Sequence, residues 1–135
     1  MLRKQMREHI FRLLFQIEFV PSLEMPERID LYLEHLENAN EEKKTYMRQR
    51  CLQAISHVNE IDALINERTS GWKTSRMNKV DLSILRLAVF EMHYDEDIPV
   101  GVAINEAVEL AKKYSGDEGP AFVNGVLAKV VAENA

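Results

Sequence analysis

The C-terminal third of the chain, residues 80–127, carries apolar side chains at three- and four-residue steps with only two short interruptions. This spacing predicts helices, because positions three and four apart lie on one face of a helix. The interruptions are the acidic segment 95–99, which ends in proline, and the segment 115–120, which contains glycine and proline. We therefore expect helices over about 79–94, 99–114 and 120–131. The first of these is apolar on most sides, which is typical of a central helix.

The rest of the chain also has the helical period. A first helix is predicted from about residue 2 to 19, and a second from Met25-Pro26 to the break at Asn38. Asn40 is a plausible N-cap for a long third helix that reaches about Glu67. The pattern predicts a short helical turn over 72–77, and no segment has the alternation of a strand.

The clearest break in the middle of the chain is Thr69-Ser70-Gly71. It divides the sequence into an N-terminal half, about 1–70, and a C-terminal half, about 72–132. At 135 residues the chain is long enough for one domain with a substantial core. The sequence therefore predicts a single all-α domain of about seven helices in two small packed helical bundles.

Composition limits the class of protein. Apolar residues make up 46% of the chain and charged residues 29%, the balance of a globular protein. No apolar run has the roughly 20 residues that a membrane helix needs, and the N-terminus lacks the short apolar core of a secretory signal. Cys51 is the single cysteine, so no internal disulfide can form, and we expect a cytoplasmic protein that does not associate with membranes.

No catalytic constellation or cofactor motif is present in the sequence, and the four histidines have no metal-ligand spacing. We expect no catalytic residue, no bound metal and no cofactor. Cys51 lies within a helix and is expected to be a buried structural residue. Arg86 and Glu91 are expected to pair with charges on neighbouring helices, and Asn105 to bond the backbone of an adjacent segment.

The charge distribution points to a localised anion-binding face. The net charge is −5, yet residues 1–12 contain four basic residues and one acidic residue. Arg3, Lys4 and Arg7 occupy the first two turns of the first helix, where the helix dipole disfavours cations unless an anion such as an RNA phosphate neutralises them. The alternative is a basic helix that balances an acidic neighbour.

A second candidate lies where the last helix begins. Phe122 follows a Gly-Pro turn, a position from which an aromatic ring could stack on an unpaired base. The alternative is that Phe122 packs in the core and Asn124 caps the helix.

Four blocks of sequence resemble those of the NusB family of bacterial transcription antitermination factors. The N-terminal block RKQMRE is followed by LFQ at 14–16. A second block is similar to the family's central helix and consists of residues 76–81, ILRLA at 84–88 and Phe90-Glu91. The most specific block is AINEAVELAK at 103–112, after Ile98-Pro99, and FVNGVL at 122–127 completes the set. The resemblance covers nearly the whole chain.

The resemblance implies an all-helical RNA-binding protein that needs no cofactor. It implies binding to boxA-type single-stranded RNA from ribosomal RNA operons, with the small-subunit ribosomal protein that acts as NusE, within the antitermination complex of RNA polymerase. The residues that would contact RNA are Arg3, Lys4, Arg7, Lys112, Lys113, Glu118, Phe122 and Asn124. Phe15 and Asp81 would lie on the surface that meets the NusE-like partner.

Two alternatives to this function remain open at the level of sequence. One is a helical adaptor that binds protein but not RNA. The other is the RNA-binding module of a ribosomal RNA methyltransferase, since NusB-like domains also occur fused to such enzymes. Some family members are monomers and others homodimers, so the sequence leaves the oligomeric state open.

Overall fold

The computed structural model describes residues 1–132, and within that range it contains seven α-helices and no strand. The helices are α1 Arg3–Phe15, α2 Met25–Glu34, α3 Glu41–Ser56, α4 Val58–Arg68, α5 Lys79–Tyr94, α6 Val100–Tyr114 and α7 Gly119–Ala132. Short 3₁₀ turns cover Gln16–Glu18, Ser22–Glu24 and Thr74–Arg76. The prediction of an all-α fold with about seven helices is confirmed.

Two compact units divide the chain after Ser56 and not near Gly71. The predicted third helix is in fact two helices, because the helix is interrupted at His57, where the backbone has φ −105° and ψ 5°. The second of them, α4, packs against α5 and α7 and therefore belongs with the C-terminal helices. No glycine or proline lies at this break, so no local residue type predicts it. The assignment of the chain to a single domain stays a prediction.

The first unit, Met1–Ser56, contains α1, α2 and α3. α3 packs against both α1 and α2, and its predicted cap is confirmed, since the Asn40 side chain accepts a hydrogen bond from the Lys43 N–H at 2.9 Å. The core of this unit includes Leu13, Met25, Ile29 and Met47, which are fully buried. Burial of such side chains is the main force that holds short helices together.

The second unit begins at His57 and is built around α5, which packs against α4, α6 and α7. Every residue of α5 from Asp81 to Glu91 is buried, which confirms the prediction of a central helix. Asn78 caps α5 by accepting hydrogen bonds from the backbone N–H groups of Val80, at 2.7 Å, and Asp81, at 3.2 Å. The cap fixes where α5 begins, and so fixes the position of the Asp81 carboxylate.

Candidate nucleic-acid interface

The basic N-terminus lies on α1, in the first unit. Arg3 and Lys4 are exposed, and the first turn of the helix contains no acidic residue. Arg7 differs from the expectation, because it is only 7% exposed and interacts with other groups of the protein. A guanidinium in that position is not an open phosphate contact, so the surface cations of this helical start are Arg3 and Lys4. The role of Arg7 in binding RNA stays a prediction.

An open cavity of about 300 Å³ lies in the second unit, with aromatic side chains among the residues that line it. The rings of Trp72 and Phe122 meet edge to face, with 5.5 Å between their centroids and 67° between their planes. Trp72 is 39% exposed, and Phe122 is partly exposed in the first turn of α7. The interpretation of Phe122 as a core residue is therefore wrong, and two aromatic edges are open to a ligand.

The loop that carries Trp72 is held in a defined conformation. Gly71 has φ +92°, in the left-handed region that favours glycine, and the Trp72 N–H donates to the Thr69 carbonyl at 2.9 Å. The Thr69 hydroxyl lies 2.6 Å from the Ile65 carbonyl, and the Thr74 N–H donates to the Asn66 side chain at 2.8 Å. These contacts tie the loop to the end of α4, so Trp72 is presented on an ordered turn.

Charged and polar groups complete the wall of this cavity. Two cations come from the loop, Lys73 and Arg76, and two carboxylates come from Asp81 and Glu118. A cavity that combines aromatic rings, guanidinium and ammonium donors and carboxylate acceptors can stack a planar base, bind a phosphate and accept hydrogen bonds from a base amino group. These are the interactions by which proteins recognise unpaired nucleotides.

Asp81 does not lie on an open surface as expected. It is 7% exposed, and it accepts a hydrogen bond of 2.5 Å from the Ser115 hydroxyl. A Cβ atom built on Gly119 would overlap the Ser115 side chain and would lie 3.4 Å from the Asp81 carboxylate. Asp81, Ser115 and Gly119 therefore pack closely, and the carboxylate forms part of the cavity wall. The contact of Asp81 with a protein partner stays a prediction.

The remaining predicted RNA contacts of the second unit are exposed. Lys112 pairs with Glu109 at 3.1 Å, and the Lys113 ammonium lies 5.5 Å from the centre of the Tyr114 ring. Asn124 is exposed within α7, so the alternative interpretation of Asn124 as a helix cap is wrong. The structure places Glu118 and Phe122 in the same cavity, whereas Lys112, Lys113 and Asn124 are not among its lining residues.

Phe15, predicted to meet a protein partner, lies at the end of α1 and is partly exposed. Its ring centre is 5.1 Å from that of Phe19, which is 67% exposed. Leu23, in the following 3₁₀ turn, is 96% exposed. Apolar side chains this exposed are typical of a protein-binding surface when they occur together.

Sequence reasoning placed Trp72, Lys73 and Arg76 in a short helical turn and did not include them among the site residues. The available signal was one aromatic and two cations within five residues of a Gly turn. It missed Phe19 because a single apolar residue after a helix is ordinary. It was wrong about Asn105, which is exposed on α6 and not a buried amide.

The expected structural roles of other polar residues can also be compared with the structure. Arg86 donates to both carboxylate oxygens of Asp62, at 2.9 and 2.7 Å, which confirms the predicted pairing across helices. Cys51 is buried, and burial raises the pKa of its thiol to about 12. Among residues 1–132 no group of three potential metal ligands occurs, and no helix is long and apolar enough to cross a membrane.

Comparison with known proteins places these features in a family. Residues 4–132 match the model of the NusB family. The chain is 52% identical over 129 residues to the transcription antitermination protein NusB of Agathobacter rectalis, covering 96% of this chain and 98% of that protein. The corresponding protein of Lachnoclostridium phytofermentans is 48% identical over 131 residues, covering 97% and 99%.

Solved structures agree with the sequence comparison. NusB of T. maritima is similar with a TM-score of 0.88 at 32% identity, covering 98% of this chain and 92% of that one. A structure of the antitermination factors NusB and NusE in complex with dsRNA is similar with a TM-score of 0.84 at 27% identity, covering 97% and 96%. The chain belongs to the NusB family.

Proposed function

We propose that this chain is a transcription antitermination factor that binds boxA-type single-stranded RNA of ribosomal RNA operons together with a NusE-like ribosomal protein. Relatives at 52% and 48% identity are named transcription antitermination proteins, and a similar solved structure contains NusB and NusE in complex with dsRNA. The protein would act in the cytoplasm, within the antitermination complex of RNA polymerase, and without catalysis or a cofactor.

The observation that carries the proposal is the cavity bounded by Trp72 and Phe122. In the proposed mode one unpaired base stacks against these rings, and Lys73 or Arg76 binds the adjacent phosphate. Glu118 accepts a hydrogen bond from a base amino group at the rim of the cavity. A duplex cannot enter this cavity without unstacking a base, so the cavity favours single-stranded RNA over paired RNA.

Exposed cations outside the cavity would add affinity that is independent of sequence. These are Arg3 and Lys4 in the first unit and Lys112 and Lys113 in the second. Each phosphate neutralised by such a side chain releases counterions, so binding should weaken as salt rises. Asn124, exposed on α7, would contact the RNA beside Phe122.

The proposed partner surface is the aromatic pair Phe15 and Phe19 at the end of α1, with Asp81 as a predicted contact in the second unit. Phe19 is the more exposed ring of the pair and is expected to contribute most of the apolar area that the partner buries. Replacing Phe19 with Ser should weaken binding of the NusE-like protein while binding of RNA alone is retained.

The test uses the single tryptophan of the chain, Trp72, as a reporter within the proposed site. Unlabelled boxA-type RNA should change the Trp72 fluorescence with the same Kd that anisotropy of a labelled RNA gives. Phe122→Ala should weaken binding roughly 5- to 150-fold, the range expected for one lost stacking contact of about 1–3 kcal/mol. Tyr94→Ala is the matched control, since it removes an exposed aromatic of the same unit that does not line the cavity.

Three results would contradict the proposal. They are equal binding of boxA-type and scrambled RNA, equal binding of single-stranded and duplex RNA, and normal affinity in a folded Phe122→Ala variant. Binding of the NusE-like protein with no binding of RNA would favour the helical adaptor.

A further inference from the structure

The groove between α1 and α2 is separate from the cavity at Trp72 and has an unusual distribution of charge. It is open, has a volume of about 470 Å³ and lies entirely within the first unit. Its ionisable residues other than Tyr32 are Arg12, Arg28, His9 and His35, and no carboxylate is among the residues that line it. The chain has a net charge of −5, so a groove lined by cations without carboxylates indicates a localised anion-binding surface.

Helical spacing produces this arrangement. His9 and Arg12 on α1 and Gln16, at the start of the 3₁₀ turn that follows, recur at three- and four-residue steps and so form one stripe. The stripe from the second helix contains Arg28, Leu31, Tyr32 and His35, again at helical steps. Two acidic residues of α2, Asp30 and Glu34, line a different groove that is shared with α3.

The groups around the groove are placed to receive an anion. Within residues 1–132 Arg28 has no ion pair or hydrogen bond. Arg12 pairs with Glu8 at 3.4 Å and has at least one further interaction within the protein. His35 donates from Nδ1 to the Leu31 carbonyl at 2.9 Å, which leaves its Nε2 available. His9 and the Tyr32 hydroxyl are joined by a hydrogen bond of 2.6 Å.

We propose that the α1–α2 groove is a second RNA-binding site, which takes the phosphodiester backbone of a single strand that continues beyond the boxA-type element. Guanidinium groups bind phosphate through paired hydrogen bonds, and the imidazole and phenol rings offer planar surfaces to bases. The Gln16 amide can reach a base edge, and Leu31 and Leu36 provide apolar contact. An acidic peptide would use the cations but not this set of planar side chains, so RNA is the better match.

This inference rests on the proposed function, because it assigns a further part of the same RNA to the chain. It adds a prediction of length dependence. An RNA that carries unstructured flanks on both sides of the boxA-type element should bind more tightly than the element alone, and the gain should depend on the groove.

The test compares three proteins on these two RNAs by anisotropy. In the double variant Arg12→Gln with Arg28→Gln, the flanked RNA should bind about tenfold more weakly, and the slope of log Kd against log salt should fall by about 1.4, or about 0.7 for each lost phosphate contact. Binding of the unflanked element should be unchanged. The matched control is Lys44→Gln with Arg48→Gln, which removes the same charge from the neighbouring groove, also of about 470 Å³, and should have no such effect.

A site-specific readout is the titration of His9 followed by NMR. Burial and then the charge of Arg12 lower the pKa of His9, and Glu8 opposes them. A phosphate bound beside the ring favours the imidazolium, so the flanked RNA should raise the pKa of His9 while the unflanked RNA should not. Neither RNA should change it in the double groove variant.

The outcomes separate the two proposals. No binding of either RNA by the wild-type protein would overturn the proposed function and this inference together. Binding of the short element with no gain from flanks, or an equal gain in the groove variant, would overturn the groove alone. A poly-glutamate probe tests the alternative occupant. If the double groove variant lost binding to poly-glutamate but kept its binding to flanked RNA, the groove would be a site for acidic protein, and the proposal of an RNA site would be overturned.

Discussion

Gly119 is the residue whose substitution tests most directly how the structure builds the wall of the Trp72 cavity. A Cβ at this position would overlap the Oγ and Cβ atoms of Ser115. The substitution Gly119→Ala must therefore displace Ser115, whose hydroxyl donates the 2.5 Å hydrogen bond to Asp81. Asp81 is buried, so its carboxylate would lose a partner that water replaces only in part.

The magnitude follows from the contacts that are lost. A hydrogen bond to a charged group contributes about 1.5–3 kcal/mol, and displacement of the loop adds strain of about 1 kcal/mol. We expect Gly119→Ala to lower the free energy of unfolding by about 2.5–4 kcal/mol and the Tm by roughly 10 °C. Because Gly119 and Asp81 line the cavity, boxA-type RNA should also bind more weakly.

The chain provides a matched control and a rescue. Gly116 lies in the loop that precedes α7, and a Cβ there meets nothing within 4 Å, so Gly116→Ala should be neutral or slightly stabilising. The double variant Gly119→Ala with Ser115→Gly removes both overlapping atoms, and should recover the part of the loss that is due to strain. Urea unfolding followed by circular dichroism measures each value. A Gly119→Ala variant as stable as Gly116→Ala would refute the argument.

Three further predictions concern stability and reactivity. Arg86→Met leaves the Asp62 carboxylate without its bidentate partner and should cost about 3 kcal/mol, and Arg86→Met with Asp62→Leu should recover most of it in urea unfolding. A loss below about 0.5 kcal/mol for the single variant would show that this pair does not hold α4 to α5. Asn78→Ala removes the cap of α5 and should cost about 1 kcal/mol, whereas Asn78→Asp should cost much less. Cys51, with its pKa raised to about 12 by burial, should react with a thiol reagent only after unfolding, and fast labelling of the native protein would contradict its burial.

The sequence predicted helix identity well where local signals were strong. Asn40 and Pro99 were read correctly as helix starts, because a side-chain cap and a proline act on their immediate neighbours. The break at His57 was missed because no local residue demands it. It follows from tertiary packing, as α4 contacts α5 and α7, and a period of apolar residues continues across it.

The candidate site was predicted only in part, for the same physical reason. The resemblance to the family supplied Phe122, but Trp72 lies 50 positions earlier in the sequence, and no periodicity relates a loop residue to the first turn of a distant helix. The burial of charged residues also could not be predicted from the sequence. Arg7 and Asp81 occur in patterns that suit a surface, yet the structure buries both.

These differences change which residues the RNA proposal depends on. With Arg7 buried, the first two turns of α1 offer two exposed cations, Arg3 and Lys4, which would contribute salt-sensitive affinity but no selectivity. Selectivity must then come from groups that contact bases, and in the second unit these are the rings and carboxylates of the Trp72 cavity. Neutralising Arg3 and Lys4 should therefore weaken the binding of boxA-type and scrambled RNA by the same factor. Phe122→Ala should instead reduce the ratio of the affinity for boxA-type RNA to the affinity for scrambled RNA. If neutralising Arg3 and Lys4 reduced that ratio and Phe122→Ala left it unchanged, selective recognition of boxA-type RNA would lie on α1.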